Sequence, residues 1–178
     1  LQTHQLANYT SDVDEYLHDV DAAITQLLVS ENINWLLLNG HSTGGLVAAL
    51  YAHRGPRRDA VKAVFLNSPF LAMNLPSWQV RFAVPVVSAL GRLFPQLRTP
   101  PLTALYGKSL HLSEHGHWQY NTHWKPINGF PVLAGWVRAI HRAQVEVAMG
   151  LRIGCPVLVM HASRSAWPTR FGPSAMTA

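Results

Sequence analysis

The run Trp35-Leu36-Leu37-Leu38-Asn39 passes directly into Gly40-His41-Ser42-Thr43-Gly44-Gly45, and Leu46, Val47, Leu50 and Tyr51 then recur at helical spacing before the Gly55-Pro56 stop. This succession predicts a buried strand, a sharp glycine turn and a helix. The turn holds the spacing G-x-S-x-G at Gly40, Ser42 and Gly44. A serine in a strained strand-to-helix turn needs small neighbours, because other backbone must pass close to it. Such a turn aims the amide of Thr43 and the positive end of the following helix at the space beside the hydroxyl. Ser42 is therefore the candidate nucleophile and the Thr43 backbone amide the candidate oxyanion donor, framed by Gly40, His41, Gly44 and Gly45. The competing reading is a tight turn whose serine only caps the helix.

The segments on either side extend the pattern. Thr10 and Ser11 precede Asp12, Asp14 and Glu15, after which Val13, Tyr16, Leu17, Val20, Ile24, Leu27 and Leu28 share one face of a capped amphipathic helix. Val61 to Asn67 reads as a second apolar strand and Pro156 to His161 as a third, its proline tolerated at the start. Helix, strand, helix, strand is the alternation of an α/β fold, with the strand ends and Ser42 on one rim of a parallel sheet. Between Pro69 and Gly150 the chain becomes proline-punctuated and aromatic, and Pro131 is placed to open a helix carrying Leu133, Trp136, Val137, Ile140, Gln144 and Val147 on one face. The expected division is an α/β core over 1–69, a mostly helical cap insertion over 70–150, and a return to the core sheet over 151–178. Three apolar strands are too few for a doubly wound sheet, so the fold is expected to be incomplete, cut at both ends.

Composition narrows the classes. With 178 residues and 48% hydrophobic content the chain can bury a real core. Its single cysteine, Cys155, reads as a buried reduced thiol, which favours a cytoplasmic setting. No stretch approaches eighteen uninterrupted apolar residues, which excludes an integral membrane helix. Six of the nine acidic residues precede position 32, whereas the later basic residues are spread without clustering. No basic stripe with interleaved aromatics emerges, so nucleic acid is not an expected partner, and the net positive charge leaves peripheral contact with an anionic membrane surface open.

Taken together, Gly40 to Gly45, the strand ending Phe65-Leu66-Asn67-Ser68-Pro69-Phe70, and Pro156 to His161 resemble the α/β-hydrolase superfamily. The resemblance is to its capped serine hydrolases, the monoacylglycerol lipases, lysophospholipases and serine aminopeptidase-like members. It implies that Ser42 attacks the carbonyl of an acyl ester or lipid, with a histidine as base and an Asp or Glu orienting it, in the chain order Ser, acid, His. It implies no cofactor. Relatives often continue the last strand into H-G-x-x-D, but here His161-Ala162-Ser163-Arg164-Ser165 puts a serine where the carboxylate falls. Ser42, Glu146 and His161 satisfy the order only by accident, so the acid and histidine are expected outside this chain and the fragment alone is expected to be inactive. Phe70, Trp78, Phe82, Trp124 and Trp136 are candidates to line an acyl pocket.

Two other classes compete. One is a noncatalytic hydrolase-like protein that uses its cap as a binding surface. The other is a metal-dependent peptidase, because His111-Leu112-Ser113-Glu114-His115 matches H-x-x-E-H, in which two histidines four apart on a helix bind zinc. Gly116 directly after it argues against that helix. A redox cofactor has no support, since neither G-x-G-x-x-G nor a P-loop is present.

Overall fold

The computed structural model describes residues 6–31, 33–100 and 104–163. In chain order the elements are α1 (Val13–Ser30), β1 (Leu36–His41), α2 (Thr43–Arg54), β2 (Val61–Asn67), α3 (Val84–Leu93), α4 (Leu105–Leu110), α5 (Ala134–Ala148) and β3 (Val157–Met160). The three strands form one parallel sheet in the order β1-β2-β3. This is the α/β arrangement expected from the alternation; β2 and β3 fall within a residue of their predicted spans, whereas β1 runs two residues past Asn39 into the glycine turn.

The chain divides into two compact units. The larger, Thr10–Leu97 with Ala134–His161, holds the sheet together with α1, α2, α3 and α5. The smaller is built mainly from Arg98–Leu133 and holds α4. This division falls at other points than the 70 and 150 proposed for a cap, and α3 and α5 both group with the sheet.

Within the larger unit α2 is the centre of packing. Leu46, Ala48, Ala49, Leu50, Tyr51 and Ala52 are all buried, so the helix is enclosed on nearly every side. It meets β1, β2, α1 and α5. Its small residues let those neighbours approach, and Val13, Leu17 and Ile24 of α1, Val61, Val64 and Leu66 of β2, and Ala139, Ile140 and Ala143 of α5 complete the core. Helix α1 is capped as expected, but by Asp12 rather than by the Thr10 or Ser11 before it; the Asp12 side chain accepts from the Asp14 amide at 3.1 Å.

Helix α5 begins at Ala134, three residues after Pro131. Residues 132–133 are instead held extended, with the Thr99 amide donating to the Val132 carbonyl at 2.9 Å and Arg98 bridging Leu133. A long-range backbone pairing thus overrides the local helix-start signal of the proline. Cys155 packs against the core but is half-buried rather than fully enclosed. Among the described residues no helix is long and apolar enough to cross a membrane.

Charged side chains tie the helices together around Tyr51 and Arg54. The Tyr51 hydroxyl donates to Asp21 at 2.5 Å, and Arg57 also bonds Asp21. Burial and the Asp21 carboxylate push the Tyr51 phenol up to about 12, and the same hydrogen bond from Tyr51 holds Asp21 below the usual carboxylate range. The Asp21 contribution to stability is present above the ordinary carboxylate pKa and lost as pH falls through the depressed one. That of Tyr51 is present below the ordinary phenol pKa of 10 and lost as pH rises towards about 12. Tyr51→Phe is expected to cost about 1.5 kcal/mol and to remove the alkaline part of this loss, as read by urea denaturation of the whole protein at pH 7 and above pH 10.

Candidate active site

Parallel pairing fixes where the glycine turn sits. In the β1–β2 ladder His41 stands opposite Asn67, and in the β2–β3 ladder Asn67 stands opposite Met160. Ser42, Ser68 and His161 therefore each occupy the first position beyond a strand, on the carboxyl rim of the sheet. Open α/β sheets present their reactive groups on this rim.

Ser42 has φ 53° and ψ −121°, a backbone conformation that side chains other than glycine rarely adopt. Both of its backbone groups are used to hold it there. Its amide donates to the Asn67 carbonyl at 3.2 Å, and its carbonyl accepts from Gly45 at 2.9 Å, Leu46 at 3.3 Å and Phe70 at 2.9 Å. The His41 ring adds a bond from Nδ1 to the same Asn67 carbonyl at 3.0 Å, which requires the proton on Nδ1 because a carbonyl can only accept. Ser42 makes no side-chain cap to α2, which answers the capping alternative directly. The residue is exposed, and no backbone acceptor among the described residues takes the amide proton of Thr43 or Gly44. A hydroxyl at the head of a twelve-residue helix, beside two unused amides, is an arrangement that can stabilise negative charge developing on an oxygen.

The glycines divide by steric role. A Cβ on Gly40 would lie 2.7 Å from the Gly45 Cα, and a Cβ on Gly45 would lie 2.7 Å from the Pro69 Cβ. At Gly44 a Cβ would meet nothing within 4 Å. Close passage of backbone through the turn therefore depends on Gly40 and on Gly45, the glycine outside the five-residue motif.

The accidental Ser42, Glu146, His161 order has no counterpart in space. Arg54 binds Glu146 at 2.6 Å, and Arg54 is the last residue of α2, about 16 Å along the helix from Thr43 at 1.5 Å per residue. Glu146 thus serves the opposite end of α2 from Ser42. Ser165, the residue in the carboxylate's place, lies outside the described residues.

The five aromatic candidates differ in exposure. Phe70 and Trp136 are half-buried against the core, whereas Trp78 and Phe82 are each 62% exposed. Trp124 belongs to the smaller unit and is 78% exposed.

In that unit the zinc motif loses its helix. α4 ends at Leu110, and the chain then turns, with Glu114 and Gly116 both donating to the His111 carbonyl at 3.0 Å. His111 Nδ1 meets the Ser113 hydroxyl at 2.8 Å. The H-x-x-E-H motif binds zinc from one face of a continuous helix, and His111, Glu114 and His115 lie beyond the end of α4, so they lack that helical arrangement. Among the described residues no cluster of three or more metal-ligating side chains occurs.

The family model for serine aminopeptidase, S33, matches residues 2–166. A monoacylglycerol lipase from Paleococcus ferrophilus superposes with a TM-score of 0.61 at 24% identity, over 84% of this chain and 54% of that one. A soluble variant of the monoglyceride lipase of Saccharomyces cerevisiae, solved with a substrate analog, gives a TM-score of 0.58 at 14% identity, over 84% and 50%. At these identities the likeness is one of fold, and the chain spans about half the length of both structures. No curated protein is matched with significance.

The glycine analysis gives opposite expectations for neighbouring residues. Gly45→Ala should destabilise the whole protein by about 1–3 kcal/mol, because rigid Pro69 must move. Gly44→Ala should range from neutral to about 0.5 kcal/mol stabilising through improved helix propensity. Thermal unfolding of the two variants side by side checks the pair, and equal losses would remove the assigned roles.

Proposed function

Because the chain belongs to the serine aminopeptidase, S33, family of α/β-hydrolases, we propose that it carries the nucleophile of a serine hydrolase that cleaves acyl esters. The observation that carries this reading is Ser42: exposed, at φ 53°, one residue beyond the carboxyl end of β1 and at the head of α2. Backbone strain of this kind costs about 1–3 kcal/mol and persists where the surroundings over-determine it. Four backbone hydrogen bonds to one serine are such surroundings.

In the proposed reaction the Ser42 Oγ adds to the ester carbonyl while a histidine takes its proton. The carbonyl oxygen becomes an oxyanion held by the Thr43 amide and the positive end of α2. Collapse expels the alcohol, protonated by the same histidine, and leaves an acyl group on Ser42 that water removes. Glu146 is committed to Arg54, so the acid that orients the histidine, and the histidine itself, are proposed to come from sequence outside residues 1–178. The matched structures are long enough to accommodate such a contribution. On the same reading residues 70–150 serve as a cap, Phe70 and Trp136 are the nearer acyl contacts, and the fragment by itself turns over poorly. The substrate proposed is a small acyl ester or lipid, the class that the names of the two matched lipases carry.

The test is covalent labelling of the whole protein with a fluorophosphonate, with the adduct mapped by mass spectrometry. One phosphonyl group on Ser42, abolished in Ser42→Ala, is the expected outcome. Absence of any adduct on a folded protein would instead favour the noncatalytic, binding-protein alternative.

A further inference from the structure

Among the described residues, Gln144 is the buried polar side chain outside the proposed reaction that is connected to the elbow. It lies on α5 beside Ile140 and Ala143 and is 6% exposed. A buried amide is costly unless it is hydrogen-bonded, and an aliphatic side chain would fill the same stripe without that requirement. Gln144 Nε2 donates to the Phe70 carbonyl at 3.0 Å. The amide of the same residue donates to the Ser42 carbonyl at 2.9 Å. Phe70 thus links α5 on one side to the candidate nucleophile on the other.

The segment bearing Phe70, residues 68–70 just past β2, has no regular structure of its own. Asn67 at the end of β2 takes the Ser42 amide, Ser68 sits at φ 45°, and Pro69 lies where a Cβ on Gly45 would go. Both hydrogen bonds to the Ser42 peptide from outside α2, among the described residues, come from residues 67–70, and Gln144 tethers the far end of that segment.

We propose that Gln144 is a positioning residue for the nucleophile: from α5 it fixes the Phe70 peptide, whose amide sets the Ser42 peptide and hence the direction of Oγ and of the Thr43 amide. The proposal rests on the reading of Ser42 as nucleophile. Without the Gln144 amide the Phe70 carbonyl loses its donor, and the peptide can rotate to find another. A displacement of about 1 Å at reacting groups costs up to roughly a hundredfold in rate.

The test compares Gln144→Met and Gln144→Glu with wild type in the whole protein. Two quantities are read: the rate of fluorophosphonate labelling of Ser42, and kcat and KM for a short p-nitrophenyl ester. Gln144→Met keeps the volume but has no donor, and it should slow labelling and lower kcat by about tenfold while KM changes little. Gln144→Glu supplies a built-in rescue, since a neutral carboxyl can donate to the Phe70 carbonyl and a carboxylate cannot. Its labelling rate relative to wild type should rise as pH is lowered, whereas the Gln144→Met ratio stays flat. The ratio is read in the pH range over which circular dichroism shows Gln144→Glu fully folded, so that the cost of burying a carboxylate does not enter it. Wild-type labelling rates in Gln144→Met, or a flat ratio in Gln144→Glu, overturn the proposal, and the second measurement decides alone if Gln144→Met does not fold. If Ser42 of wild type takes no label, the nucleophile reading falls and this proposal with it. If wild type is labelled and the variants match it, only the role of Gln144 falls.

Discussion

The pairing of the Ser42 peptide with residues 67–70 is the interaction on which the site depends. The β1–β2 ladder ends with His41 opposite Asn67, and the Ser42 amide extends it by one more bond, to the Asn67 carbonyl. From there the chain reverses into α2, and the Ser42 carbonyl is taken by two amides of the helix and by Phe70. The ladder alone would let the residue relax out of its positive φ, and the helix alone would leave its direction relative to the sheet undefined. Together they leave the peptide one orientation, which is how a conformation costing about 1–3 kcal/mol is retained on a surface.

The two ends of α2 have separate duties. At its start, the Thr43 and Gly44 amides have no backbone acceptor among the described residues and lie next to the exposed Ser42. At its finish, Arg54 joins Asp14 of α1 at 2.5 Å and Glu146 of α5 at 2.6 Å, a cation near the negative end of the helix dipole bridging two neighbouring helices. These pairs are partly exposed and so individually weak, and they link α2 to α1 and α5 at one end of the apolar contact between them. Nearly all other faces of α2 are apolar and enclosed, so the helix is held as a rigid piece between its two ends. Ser42, at the head of such a helix, inherits that rigidity.

Two features that look alike in sequence part company in space. G-x-S-x-G and H-x-x-E-H are both short motifs whose meaning lies in the element that bears them. The first has a strand before it and a helix after it. The second begins where α4 has already ended, and Gly116 occupies a place where a Cβ would collide with the backbone at Leu110. Its histidines accordingly turn with the loop instead of lining one helical face.

What the sequence determined by itself is whatever depends on short-range periodicity. The three strands, the capped α1, the turn around Ser42 and the α/β alternation are all readable from Leu36–Leu38, the polar residues before Val13, the glycines and the apolar runs, because strand and helix periods and caps are local properties. Tertiary structure decided what depends on partners distant in the chain. Pro131 does not open α5, because the adjoining Val132 pairs with Thr99. Gln144 reads as one more position on an apolar face, and only the approach of Phe70, 74 residues away in sequence, gives its amide a purpose. That the turn cannot spare Gly45 as well as Gly40 is decided by Pro69 across the sheet rim. The placement of Glu146 at the far end of α2 is likewise fixed by Arg54, 92 residues earlier. In each case the deciding contact joins residues that no local pattern connects, since it exists only once the strands have paired and the helices have closed over them.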